Sequence, residues 1–198
     1  MLAHLVGIEI FATGGIGGVH RGAETTMDIS ADLYELNRTP MTVVCAGVKS
    51  ILDIGLTLEL LESLGVGVYT IGDLDDFPAF YLPKSGFKSP GGAISVELAA
   101  EIMGRSKDLN MSSGIIFANP INSNDDTDYE GWISQAVKEA QTQNISGNES
   151  TPFILSRLNQ LSSGKTVQTN KTLYLSNCAK AAEIAVIHHH NKIITLKS

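Results

Sequence analysis

Four short apolar runs, each followed by a longer amphipathic or polar stretch, restrict this chain to a small set of architectures. They are Ile8–Ala12 (IEIFA), Thr42–Ala46 (TVVCA), Gly67–Ile71 (GVYTI) and Gly114–Ala118 (GIIFA). Runs of this kind, apolar on both faces, read as strands buried on both sides, the habit of a parallel sheet. Between them, Ser50–Gly65 carries leucines and isoleucines at helical spacing and ends on a glycine suited to a C-cap. Ser95–Asn110 opens on a serine with a glutamate close behind, as a capped helix does. Strand, helix, strand, helix in that order predicts an α/β fold, a mainly parallel sheet flanked by helices. Beyond Pro120 the chain turns polar, and Trp132–Gln143, Pro152–Leu161 and Leu173–Ile187 read as a helical C-terminal segment. The expected organisation is a single α/β domain over 1–187, truncated at its N-terminus, and a divergent tail over 188–198. The His188–His190 run in that tail reads as idiosyncratic, with no catalytic role.

Composition narrows the partners. At 198 residues, 43% hydrophobic and 18% charged, the chain can bury a core of ordinary size. A net charge of −7 weighs against broad electrostatic binding to nucleic acid or to an anionic membrane. An anionic small molecule must therefore be held by a local site. Two cysteines, Cys45 and Cys178, make no disulfide framework, and Cys45 in its apolar run reads as a small buried hydrophobe. No run approaches the roughly 20 apolar residues needed to span a bilayer. The opening residues lack a signal-peptide pattern, so the expected compartment is the cytoplasm.

The stretch Phe11–Leu33, FATGGIGGVHRGAETTMDISADL, holds five glycines, a histidine and an arginine directly after a strand, and then a string of acids. It satisfies neither the Gly-Lys-Ser/Thr ending of a P-loop nor the spacing of a dinucleotide fingerprint. That disfavours a nucleotide-binding module. What remains is either an anion cradle closed by His20 and Arg21 or a tight crossover needing positive φ. Asp28, Ser30 and Asp32 admit two readings as well. Ser30 serves as an N-cap with Asp32 in the first helical turn, or the carboxylates serve a divalent cation beside a phosphate. Lys49 follows a buried strand at its C-terminal end, the edge where open α/β sheets bind ligands, and an amine against an apolar wall makes a usable nucleophile.

Taken in order, FATGGIGGVHRGAETTMDISADL, RTPMTVVCAGVKSILDIGLTLELLE, DDFPAFY and FANPI resemble the pseudouridine-5′-phosphate glycosidase family, and the C-terminal TPFILSRLNQLSSGKTVQTNKTLYLSNCAKAAEIAV resembles that family's closing segment. The resemblance covers about Leu2 to Val186. It implies reversible cleavage of the C–C glycosidic bond of pseudouridine 5′-phosphate to uracil and ribose 5-phosphate, with Mn²⁺ or another divalent cation, in a cytoplasmic homotrimer. It further implies that Lys49 is the covalent nucleophile, that Asp28 reaches the metal through water, and that Asp32 transfers protons. Ser30, Ala31 and Asp32 would line the ribose-phosphate site, with Thr13, His20 and Asn170 as further substrate contacts. The family's chain begins well before Leu2, and its missing part carries a glutamate that protonates the base and a lysine that contacts the substrate. A competing expectation is therefore a catalytically impaired piece that only binds sugar phosphate or assembles with full-length subunits.

Overall fold

The computed structural model describes residues 1–122, 127–143, 145 and 149–195. Along the chain run α1 (Leu2–Leu5), β1 (Ile10–Ala12), β2 (Val19–His20), α2 (Ala23–Thr26), α3 (Ala31–Arg38), β3 (Thr42–Cys45), β4 (Leu52–Asp53) and α4 (Ile54–Ser63). Then follow β5 (Gly67–Ile71), β6 (Ala93–Ile94), α5 (Val96–Asp108), β7 (Ile115–Ala118), α6 (Tyr129–Thr142), α7 (Ser150–Leu161) and α8 (Lys165–Thr195). The main sheet has five strands in the order β1-β3-β7-β5-β6, all parallel, with Val43 beside Phe11 on one side and Ile116 on the other.

Burial on both faces follows from the two-residue period of a strand. In β3, Val43 and Cys45 point into one core and Val44 into the other; in β7, Ile116 and Ala118 oppose Phe117 in the same way. The first core packs Leu33 and Leu36 of α3, Leu58 and Leu61 of α4, and residues of α6 and α7. The second packs Ala99, Ala100 and Met103 of α5 against Ala181 and Ile184 of α8. The chain moves from β1 to β3 to β5 with its helices on one face, then returns from β6 to β7 through α5 on the opposite face. Right-handed crossovers require that change of face when the direction across the sheet reverses.

The expected strands and the α5 cap match what forms: Ser95 Oγ accepts a hydrogen bond from the Leu98 amide. The helix expected from Ser50 starts later, at Ile54, because Leu52–Asp53 first pairs antiparallel with Val19–His20 and Asp53 then caps α4 through the Leu56 amide. Gly65, with φ of +69°, ends that helix. Cys45 is fully buried, and desolvation pushes its thiol up to about 12, so it stays protonated and acts as the small hydrophobe expected. The last helix is longer than its periodicity suggested. It begins at Lys165 and carries His188–His190 as part of α8 to Thr195, with His188 buried.

Candidate active site

Beyond the ends of β1 and β3 the two chains stay zipped together. The Thr13 amide donates to the Val44 carbonyl, Ala46 to Gly14, Ile16 to Gly47 and Lys49 to Ile16, each at 2.9–3.1 Å. The glycine loop is thereby held alongside the segment that carries Lys49. Gly47 makes this possible: its φ is +94°, and a Cβ there would lie 2.4 Å from the Pro78 carbonyl oxygen. From the other side Asn177, fully buried on α8, donates to the carbonyl oxygens of Thr13 and Gly14, and it accepts from the Asn119 side chain at the end of β7.

The loop next meets the start of α3. Ser30 caps that helix, its Oγ accepting from the Asp32 amide, and the Gly17 amide donates to Asp32 Oδ2 at 2.8 Å. A Cβ on Gly17 would stand 2.1 Å from Ser30 Oγ and 2.8 Å from Asp32 Oδ2. On Gly15 it would meet the Phe80 ring at 2.5 Å, and on Gly18 the Thr57 hydroxyl at 2.4 Å. None of these three glycines has positive φ, whereas Gly22, the last of the five, has φ of +84° and open space where a Cβ would sit. Gly15, Gly17 and Gly18 therefore serve close approach, and much of what approaches is the protein's own side chains.

Thr13, Asp32 and Lys49 line one cavity of about 540 Å³, beside β1 and β3 on the α3 side, with Phe11, Ile16 and Glu35 also in its wall. That volume is in the range of small-ligand sites. Lys49 is half-buried, and its amine makes no ion pair or hydrogen bond among the described residues. Ser30 and Ala31 sit beside Asp32 at the helix start, where a helix N-terminus favours an anion.

The other expected contacts lie apart from this cavity wall. His20, on β2, and Asp28 form their own pair, with Nδ1 3.8 Å from Oδ2 and the His20 amide donating to the Asp28 carbonyl. Asn170, on α8, is adjacent to Tyr81, as is Ser50. Arg21 is no anion holder: it makes a two-point bridge to Glu130 of α6 at 2.6 and 3.0 Å and also donates to the Ser50 carbonyl. The Glu130 hydrogen bond is the main influence raising the Arg21 guanidinium, and the same bond lowers the carboxyl. Among the described residues no three His, Cys, Asp or Glu side chains converge as a metal cage. The donor set at Asp28 is a single partly exposed carboxylate. It fits an ion of the Mg²⁺ or Mn²⁺ kind, which keeps several waters and leans on one or two carboxylates and a substrate phosphate. It does not fit a dehydrated site. Asn177, Glu130 and the Tyr81–Ser50 pair had no sequence signal, since an isolated polar residue in a helix or loop carries no period.

Residues 1–187 match the family model of indigoidine synthase A-like proteins. The chain belongs to this family. Among its curated relatives, pseudouridine-5′-phosphate glycosidase of Alkaliphilus metalliredigens is 46% identical over 192 residues, covering 96% of this chain and 62% of the relative. The enzyme of the same name from Clostridium botulinum is 47% identical, with 94% and 61% covered. The chain thus spans about three fifths of the length of the curated relatives it matches. Two solved structures are similar. The prealnumycin C-glycosynthase AlnA, in complex with ribulose 5-phosphate, superposes with a TM-score of 0.88 at 33% identity, covering 97% of this chain and 64% of that one. An indigoidine synthase A-like protein of Thermotoga maritima gives 0.83 at 33% identity, with 93% and 61% covered.

Proposed function

We propose that this chain carries the lysine half of a pseudouridine-5′-phosphate glycosidase, which splits pseudouridine 5′-phosphate into uracil and ribose 5-phosphate. The observation that carries the reading is the arrangement of Lys49, Asp32 and Thr13 around one cavity, under a loop zipped to the Lys49 segment. The names of the curated relatives and the sugar-phosphate complex of AlnA point the same way.

The bond to be broken joins the sugar C1′ to C5 of uracil, and a carbon leaving group cannot leave by simple protonation of an oxygen as in ordinary glycosidases. An amine solves the problem. Lys49 attacks C1′ while the ring oxygen takes a proton and its bond to C1′ breaks. The lysine nitrogen then forms a C1′=N bond as C5 of uracil departs with the bonding pair and takes a proton. Water hydrolyses the imine, releasing ribose 5-phosphate and restoring the amine. Asp32, with one oxygen occupied by the Gly17 amide, is suited to move the proton at the ring oxygen. Ser30, Ala31 and the α3 N-terminus would meet the phosphate, Thr13 the sugar, and His20 and Asn170 the rest of the substrate. Asp28 would hold a divalent cation, Mn²⁺ by family resemblance, through water; when bound it supplies positive charge beside the phosphate. The setting we propose is a homotrimer in the cytoplasm.

The test is to incubate the 198-residue chain with ribose 5-phosphate and Mn²⁺, reduce with borohydride and map the adduct. A sugar-phosphate adduct on Lys49, absent in Lys49→Ala, supports the reading. No adduct, with a full-length relative labelling in parallel, overturns it.

A further inference from the structure

Three buried polar atoms next to the Lys49 turn lack hydrogen bonds among the described residues: Ser50 Oγ, the Tyr81 hydroxyl and Asn170 Oδ1. They come from the turn after β3, the loop after β5 and α8, and Ser50 and Asn170 both lie next to Tyr81. Burial pushes the Tyr81 hydroxyl up to about 12, while Asn170 and Ser50 lie near enough to pull against that rise. Proximity without a hydrogen bond of good geometry describes a network a small shift short of closing. Leaving buried groups unpaired is costly, on the order of 1–3 kcal/mol each, and folded proteins rarely do so without a reason.

The surroundings leave little slack for the tyrosine. Tyr81 is 1% exposed. Its ring stacks on Tyr129 at 4.8 Å and 17° and takes the edge of Phe80 at 4.8 Å and 73°. Ser50 is buried too, follows Lys49 directly, and has its carbonyl pinned by Arg21. The rigid member of the cluster is therefore the tyrosine, and the two groups it faces are one residue from the nucleophile and on the helix that Asn177 ties to the glycine loop.

We infer that Tyr81 is a positioning residue for the Lys49 site, its hydroxyl orienting the Ser50 side chain and the Asn170 carboxamide as the sugar phosphate binds. The inference rests on the lysine-imine reading above. Hydrogen bonds around a reacting centre are often long before substrate arrives and tighten afterwards, which is the state these three atoms are in. Closing the network on binding would convert orphaned groups into a connected set and draw the Lys49 turn and α8 into register.

The experiment replaces Tyr81 with phenylalanine in the 198-residue chain and follows borohydride-trapped adduct formation on Lys49 against ribose 5-phosphate concentration, with urea unfolding in parallel. Removing an unpaired buried hydroxyl leaves the unfolding midpoint unchanged or raises it. The trapping rate at saturating sugar falls roughly tenfold or more, as small misplacements of reacting groups do. Half-saturation moves far less. Asn170→Ala gives a similar loss, and Tyr81→Phe/Asn170→Ala together are no slower than the slower single variant, because the two act as one unit. Trapping by Tyr81→Phe at the wild-type rate overturns the inference. So does a lowered midpoint with an unchanged saturating rate, which marks a merely structural tyrosine. Absence of trapping in the unaltered chain overturns the lysine-imine reading, and the inference falls with it.

Discussion

Replacing Gly17 with alanine separates two explanations of the glycine loop. If the loop needs glycines only to present flexible backbone to a ligand, Gly14→Ala and Gly17→Ala should behave alike. The geometry says otherwise. At Gly14 a Cβ meets only Leu173 Cδ1, at 3.3 Å, so that buried side chain has to give by only a few tenths of an ångström. At Gly17 it would stand 2.1 Å from Ser30 Oγ, about 1.3 Å inside ordinary contact, and 2.8 Å from Asp32 Oδ2. Ser30 and Asp32 cannot both stay. Overpacking of this kind costs about 1–3 kcal/mol, and loss of the Ser30 cap about 1 kcal/mol more. The Gly17 hydrogen bond to Asp32 is disturbed with them. We expect Gly17→Ala to destabilise by roughly 2–4 kcal/mol in urea unfolding, and Gly14→Ala by less than about 1 kcal/mol. Gly17→Ala should also lose trapping of ribose 5-phosphate on Lys49, because the carboxylate proposed to move the proton is displaced. Equal stabilities for the two variants, or a Gly17→Ala chain within about 0.5 kcal/mol of wild type, would refute the packing argument.

Asn177→Leu strips the Thr13 and Gly14 carbonyls of their side-chain donor and leaves Asn119 short of an acceptor. Its expected cost is roughly 3 kcal/mol, seen as a melting point lower by about 10 °C. Arg21→Lys keeps the charge but not the two-point bridge to Glu130; partly exposed as that pair is, the loss should stay near 1 kcal/mol, with slower trapping as the Ser50 carbonyl is freed. Stability should fall with acid in two stages at the Glu9 cluster. Burial, then Lys192, hold the His188 imidazole below its ordinary 6.5 against the pull of Glu9, so protonating it opposes folding as the pH drops below that value. Burial alone would raise Glu9, but hydrogen bonds from Lys107 and Lys192 carry it from 4.5 to about 2. Its contribution is complete above 4.5 and lost as the pH falls toward 2; solvent screening holds it to about 1 kcal/mol. In His188→Gln the upper stage of a denaturation-against-pH series should vanish while the lower remains.

Much of this protein could be read from the order of its residues. The strands GVYTI and TVVC and the capped helix after Ser95 follow from local periodicity and local hydrogen-bonding chemistry, which act within a few residues of chain. Lys49 could be singled out because a strand's C-terminal end is a ligand edge in any sheet of this type. The two-residue strands β2, β4 and β6 could not, since so short a strand has no period and exists only because a distant partner supplies its hydrogen bonds. Arg21, whose neighbours suggest an anion site, is consumed by Glu130, 109 residues away. The glycines resemble a ligand cradle, yet Ser30, Asp32, Phe80 and Thr57 fill much of the space they leave. His188, which reads in the sequence as part of an idiosyncratic tail with no catalytic role, is buried beside Glu9. Local sequence determined which segments are strands and helices and where a nucleophile could sit, because those properties arise from near neighbours. Tertiary structure decided which charges are already paired, which space is already filled and which buried hydroxyls lack a partner, because each depends on groups that only folding brings together.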